Sequence, residues 1–198
     1  MSQKHYSQQG TFHITTNAKN KIPWLTYDRV PEILIDNLIM TRNVYEAKVY
    51  AFCILPDHMH ILMSPGERGL SDFMQSLKRN SACDINTLLR RAGMNDNLRS
   101  AGSITRASHP GLGAGVCEPQ LREKMIVKND MCFHWQNGFH DELIRDSIQR
   151  SSATEYIQWN AVRHELVASI DDWPWSSVHF THLLDPMELR IDGSSIIS

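Results

Sequence analysis

The stretch Phe52–Ser64, FCILPDHMHILMS, decides the fold. Two apolar runs, YEAKVYAFCIL (Tyr45–Leu55) and HMHILMS (His58–Ser64), flank the dipeptide Pro56-Asp57. Short apolar runs bounded by a turn signal read as strands, and a two-residue break makes them antiparallel neighbours. Side chains alternate between the two faces of a strand, so His58 and His60 project together while Met59 points the other way. Leu55, Ile61, Leu62 and Met63 mark the segment as mostly buried, where an unpaired polar group costs roughly 1–3 kcal/mol. Two adjacent imidazoles can chelate one divalent metal. An amphipathic strand with a polar half is the other reading of the same pattern.

Working outward, TFHITTNA (Thr11–Ala18) is β-branched and alternating and reads as a first strand. RVPEILIDNLIMTRN follows as a helix, with Pro31 near its start and Ile33, Leu34 and Leu38 at helical spacing. The segment Leu70–Arg91 is an amphipathic helix with Leu70, Phe73, Met74 and Leu77 on one face. From about 92 to 119 the pattern dissolves into Gly, Ser and Pro, which reads as a flexible insertion. KMIVKNDMCFHWQ (Lys124–Gln136) reads as another strand and NGFHDELIRD (Asn137–Asp146) as a connection. SSATEYIQWNAVRHELV (Ser151–Val167) is a helix in which Ser152 and Glu155 have the form of a capping box. An irregular tail is expected from about residue 178. With no internal repeat and no sign of a second domain, residues 1–198 read as a single domain. Its class is α+β, an antiparallel sheet with helices packed on it.

Composition narrows the function. The chain has 198 residues, 41% apolar and 21% charged, as in an ordinary globular domain with a good core. It has no apolar run long enough to span a bilayer, and its first residues lack the apolar centre of a secretory signal, so a cytoplasmic protein without membrane contact is expected. Cys53, Cys83, Cys117 and Cys132 form no CxxC pair, which speaks against a zinc ribbon and for reduced thiols. The net charge of -2 gives no sign of a nucleic-acid partner, but its distribution is uneven. Lys78, Arg79, Arg90 and Arg91 make the middle locally basic, whereas the end is acidic.

A two-histidine metal site is incomplete. Tyr156 and Asn160 stand four apart on the late helix and so share a face. Asn160 can offer an amide oxygen to a metal, and Tyr156 a phenol, as candidates for a further ligand and a reactive group. Taken alone, such a pair is more often a core ring beside a solvated amide.

The run of FHITT, LPDHMHIL, WQNGFHDELIRD, EYIQWNAVRHELV and WPWSS, from about Thr11 to Ser177, resembles the single-tyrosine HUH transposases. Within them it looks most like the REP-associated tyrosine transposases of the IS200-like superfamily. The resemblance implies a ferredoxin-like antiparallel sheet with flanking helices. It implies that His58, His60 and Asn160 hold a divalent metal, Mg2+ or Mn2+, and that Tyr156 is the catalytic nucleophile. It implies single-stranded or hairpin DNA as partner and a monomer or homodimer as assembly. The implied activity is metal-dependent DNA cleavage and strand transfer through a 5′-phosphotyrosine. One departure concerns geometry: such proteins usually carry Asn-Pro-Val where this chain has Asn160-Ala161-Val162, and alanine permits an uninterrupted helix.

Lys78, Arg79, Arg163, His164 and His13 are candidates for contacts to DNA phosphates. Trp135 and Trp159 are candidates for stacking on bases, against the commoner reading of a core ring. Two other functions compete. One is a hairpin-binding protein that has lost cleavage. The other is a two-histidine cyclic-phosphate phosphoesterase, for which His13-Ile14-Thr15 and His179-Phe180-Thr181 have the required H-x-T form.

Overall fold

The computed structural model describes residues 10–99 and 132–186, with backbone alone for 92–99. The first eight residues of the foreseen flexible insertion, 92–99, are helical instead, and its remainder lies outside the described residues. The elements are β1 (Thr11–Asn17), α1 (Val30–Tyr45), β2 (Lys48–Ile54), β3 (His58–Ser64), α2 (Gly69–Arg99), β4 (His140–Ile144), α3 (Ser147–Gln158) and α4 (Asn160–Arg163). The sheet runs β2-β3-β1-β4 with every neighbouring pair antiparallel. This is the ferredoxin-like order, and the α+β expectation holds.

The sheet is covered on both faces, which explains why β2 and β3 are apolar almost throughout. Phe12, Ile14, Phe52, Ile54, Met59, Ile61 and Met63 point to α1 and α2, meeting Leu34, Leu38, Phe73, Met74 and Leu77. Ala51, Cys53, Leu55 and Leu62 point the opposite way, to Ala153, Ile157 and Ala161 of the late helices and to Trp173. A bulge between Val49 and Ala51 lets the strand place Tyr50 as well as Ala51 on that second face.

Three local readings are corrected. The supposed connection after Gly138 contains β4, an edge strand paired to β1 alone. Its His-Asp-Glu sequence hid it, and charged residues are how edge strands avoid pairing with other chains. The late helix begins five residues before Ser152. Its cap is Asp146, whose side chain accepts from Gln149 N at 2.7 Å, while Gln149 Oε1 accepts from Arg145 N at 2.9 Å. Of the strand expected at 124–136, the described part is extended chain with one bridge, Trp135 to Ala18.

The other sheet edge, β2, is covered by the segment from Trp173 to Asp185. Trp173 Nε1 donates to Ile54 O at 2.9 Å, and Ile54 N donates to Trp175 O at 3.0 Å. Short 3-10 turns over Ser177–Leu183 then place Phe180 against Phe52, ring centroids 5.8 Å apart. Asp185 N donates to Val49 O and Val49 N donates to the Asp185 carboxylate, both at 2.8 Å. Arg42 of α1 grips the same carboxylate with two nitrogens, Nε at 2.6 Å.

Asp185→Ala removes three charge-assisted bonds at one carboxylate. A loss of roughly 2 kcal/mol of unfolding free energy is expected, read as a lower urea midpoint at unchanged slope.

Candidate active site

The register of β1 against β3 sets Thr15 opposite His60 and Asn17 opposite His58. On the other side of β3, Cys53 stands opposite His60. His60 is 4% exposed. Its Nδ1 lies 3.0 Å from Thr15 Oγ1 and 3.1 Å from His13 Nε2. His58 Nδ1 donates to Asp57 Oδ1 at 2.6 Å. The two rings are 5.0 Å apart at 83°. Each imidazole thus engages an outer partner through Nδ1, and neither Nε2 has a hydrogen bond among the described residues.

Burial pushes the His60 pKa down to about 3, and the neighbouring His58, His13 and His164 act in the same direction. His13 is also lowered, chiefly by burial, with Glu142 opposing. The bond from His58 holds Asp57 below the usual carboxylate range. His60 is therefore neutral near pH 7, with one ring proton to place. Put on Nδ1, that proton meets Thr15 Oγ1 and His13 Nε2, and Nε2 keeps a free lone pair.

The late helices close over this pair. Tyr156 is 37% exposed, and its ring stands at 90° to His60 with centroids 5.5 Å apart. It lies 5.6 Å from His13, and the Arg163 guanidinium sits 5.1 Å from its centroid. His164 lies 5.2 Å from His58. Tyr156, Asn160 and His164 recur at intervals of four, one above another on a helical face. The outer two touch His60 and His58, so Asn160 is bracketed above the pair. Asn160 is 1% exposed, and neither its Oδ1 nor its Nδ2 has a partner among the described residues.

The helix is not continuous there. Trp159 (φ -82°, ψ 0°) separates α3 from α4, against the expectation that Ala161 would permit one unbroken helix. The break leaves the Ala161 N–H directed at the Cys53 sulfur. Burial pushes the Cys53 thiol up to about 12, only partly offset by that N–H, so the cysteine is an inert acceptor.

The donors fit a small divalent cation. Among the described residues no three His, Cys, Asp or Glu groups cluster as a metal site. What remains is two imidazole nitrogens oriented by Nδ1 partners and one amide oxygen without a partner among the described residues, a donor set whose chemistry suits a divalent cation with open positions.

Of the foreseen DNA contacts, His13, Arg163 and His164 are brought to this site. Lys78 and Arg79 are not. They belong to α2, on the opposite face of the sheet, and Lys78 Nζ donates to the carbonyls of Gln136 at 2.6 Å and Gly138 at 2.5 Å. Trp135 is a core ring, 8% exposed, with Nε1 donating to Ser81 Oγ at 3.0 Å. Trp159 is 42% exposed beside the site. The two H-x-T motifs are kept apart, since His179 lies on the turns that pack on Phe52, across the sheet from the His13 face. Two contributors were missed from sequence. Thr15 was legible as the same-face neighbour of His13, two residues on. Asp57 was read only as a turn residue, though it precedes His58.

Comparison with known proteins agrees with this geometry. Residues 6–95 match the family model described as "Transposase IS200 like". The chain is 28% identical over 160 residues to a Haemophilus influenzae protein assigned to the REP-associated tyrosine transposases, covering 77% of this chain and 74% of that one. It is 21% identical over 178 residues to the REP-associated tyrosine transposase of Escherichia coli K12, covering 89% and 81%. A solved REP-associated tyrosine transposase bound to a REP hairpin superposes with a TM-score of 0.58 at 21% identity, covering 100% of this chain and 99% of that one. No described helix is long and apolar enough to cross a membrane.

The His60 shift fixes a pH dependence. Its folded pKa of about 3 lies below the ordinary 6.5, so between those values the unfolded chain binds the extra proton. The stability of the metal-free protein is therefore complete above pH 6.5 and is lost as pH falls toward 3. In His60→Gln the slope of unfolding free energy against pH in that window is expected to drop by about one proton, checked by urea titrations in chelator.

Proposed function

We propose that this protein cleaves single-stranded DNA and transfers the strand through a 5′-phosphotyrosine on Tyr156, with a divalent metal. The observation that carries the reading is the stack of Tyr156, Asn160 and His164 over His60 and His58, with the buried Asn160 amide unpartnered. The relative solved with a REP hairpin supports hairpin DNA as the substrate class.

His58 Nε2, His60 Nε2 and Asn160 Oδ1 would hold the metal, which supplies charge stabilisation at a scissile phosphate. The chain's own residues do the rest. Asp57 and Thr15 fix the two imidazoles so that both Nε2 atoms stay available. The Tyr156 oxygen attacks phosphorus, the phosphorus–oxygen bond to the 3′ side breaks, and the leaving oxygen takes a proton to become a 3′-hydroxyl. The Arg163 guanidinium, 5.1 Å from the Tyr156 ring centroid, holds a cation against the ring of the nucleophile. The half-buried His13 stands beside the Tyr156 ring and is tied through Nε2 to His60, so it positions the nucleophile, and the phenol proton leaves to solvent. The phosphoester energy is kept in the tyrosyl link, so another 3′-hydroxyl can reverse the step and join strands.

Incubation with Mn2+ and hairpin-bearing single-stranded oligonucleotides is expected to give a protein–DNA band resistant to denaturant. Tyr156→Phe abolishes it. A band that survives in Tyr156→Phe refutes the nucleophile, and DNA binding with no band from any hairpin makes this a binding protein without cleavage. Asn160→Leu separates the metal role from folding. It relieves an unpaired buried amide and raises metal-free stability by about 1 kcal/mol. It also removes the increase in melting temperature that Mn2+ gives the parent protein.

A further inference from the structure

Four rings follow one another across the site. From Tyr156 to His60 the centroids are 5.5 Å apart, from His60 to His58 5.0 Å, and from His58 to His164 5.2 Å. The middle two belong to β3. The outer two come from the late helical segment, about two helical turns apart. Tyr156 and His164 thus stand at opposite ends of the two histidines, with Asn160 between them on the same helical face. Arg163 does not share the His164 end, because its guanidinium is turned to the Tyr156 ring.

The backbone of His164 is held where the helix ends. His164 N donates to Asn160 O at 3.0 Å. Glu165 N then donates to Val162 O at 2.9 Å and Leu166 N to Ala161 O at 3.0 Å, the two bonds of a Schellman closure. Such a closure needs a left-handed residue just after the cap, usually glycine. Here that residue is Glu165, at φ 56°. A side chain in that conformation is strained, and strain of this kind gathers at functional sites. Leu166 and Ala161 belong to the same apolar cluster, which anchors the closure. The His164 side chain itself is exposed and makes no hydrogen bond among the described residues. A donor is therefore fixed in place with no partner inside the fold.

In-line displacement at phosphorus sets the nucleophile and the leaving oxygen on opposite sides of the phosphate. We propose that His164 is the catalytic residue of the leaving side, its imidazole N–H donating a hydrogen bond to the departing 3′-oxygen. The inference rests on the DNA-cleavage reading above. The Tyr156 oxygen forms the new bond to phosphorus, the bond from phosphorus to the 3′-oxygen breaks, and its electron pair goes to that oxygen. The N–H stabilises the charge that builds there, and solvent supplies the proton that completes the hydroxyl. His164 ends the step with the charge it began with. In the joining direction the same N–H holds the oxygen of the incoming 3′-hydroxyl, so one residue serves both directions.

The test changes the leaving atom. Single-turnover formation of the denaturant-resistant adduct is followed with Mn2+ on a pair of hairpin-bearing single-stranded oligonucleotides, one natural and one with sulfur in place of the scissile 3′-oxygen. Sulfur is a weak hydrogen-bond acceptor and departs readily as a thiolate, so it needs little help from a donor. His164→Ala is expected to slow the natural substrate roughly hundredfold and the sulfur substrate less than about threefold. Its melting temperature, and the increase that Mn2+ gives, are expected to match the parent's, since the side chain is exposed and acts on the substrate. Equal slowing of both substrates, or slowing of neither, overturns the leaving-side role. Loss of the Mn2+ increase in His164→Ala overturns it as well, by making His164 a metal ligand. In each of these cases an adduct formed by the parent leaves the cleavage reading standing. A parent that forms an adduct with neither oligonucleotide overturns the cleavage reading itself.

Discussion

The structure depends on the register of β1 against β3. Thr15 faces His60 and Asn17 faces His58, and the partner residues on the opposite face are Ile14 with Ile61 and Thr16 with Met59. Because the side-chain period is two, a slip of one residue would turn the imidazoles into the α1/α2 core and turn Met59 and Ile61 out. Both faces are packed, so that slip is opposed on both. The apolar face supplies the energy that fixes the register, and the fixed register supplies His13 and Thr15 as partners for His60. Histidines that look out of place in an apolar strand are thus held by the very core that surrounds them.

A second constraint acts from above. Tyr156, Asn160 and His164 must all reach down, yet the chain breaks at Trp159. A break in a helix frees amide groups, and a freed buried amide needs an acceptor. Proline at position 161 would have no N–H to satisfy. Alanine has one, and the Cys53 sulfur, opposite His60 on β2, receives it. The break at Trp159 is here accompanied by a pairing between the late helix and the second strand. Tyr156 and His164, on either side of the break, both reach the histidines.

Much of this was legible in the sequence, for a physical reason. Alternation in β1 and β3 and helical spacing in α1 and α2 are local patterns, and each element's core face could be read from its own residues. The pairing of His58 with His60, and of Tyr156 with Asn160, follows from the same two periods. What escaped depended on contacts distant in sequence. β4 carries three ionisable residues and no apolar alternation, because as an edge strand it packs little and repels further pairing. Asp146 lost to Ser152 as a cap because both positions have a suitable partner three residues on, and only packing chooses between them. Lys78 looked like a free cation on a basic helix, yet two carbonyls of the Gln136–Gly138 loop claim it.

The site also explains where the fold carries its cost. His60 is kept neutral by burial, and Asn160 is buried with both amide atoms unpaired. Neither choice favours the metal-free fold, since a leucine in either place would pack without a polar penalty. Local rules of this kind are broken where a ligand is to be received, and the loss is offset elsewhere. Here the offset lies in the two-sided core and in the Trp173–Asp185 segment that covers the β2 edge. That segment binds the strand carrying Cys53, and Cys53 in turn holds the amide beside Asn160. The edge cover and the buried Asn160 amide are thus two ends of one chain of contacts, through which the end of the fold steadies the helix break above the two histidines.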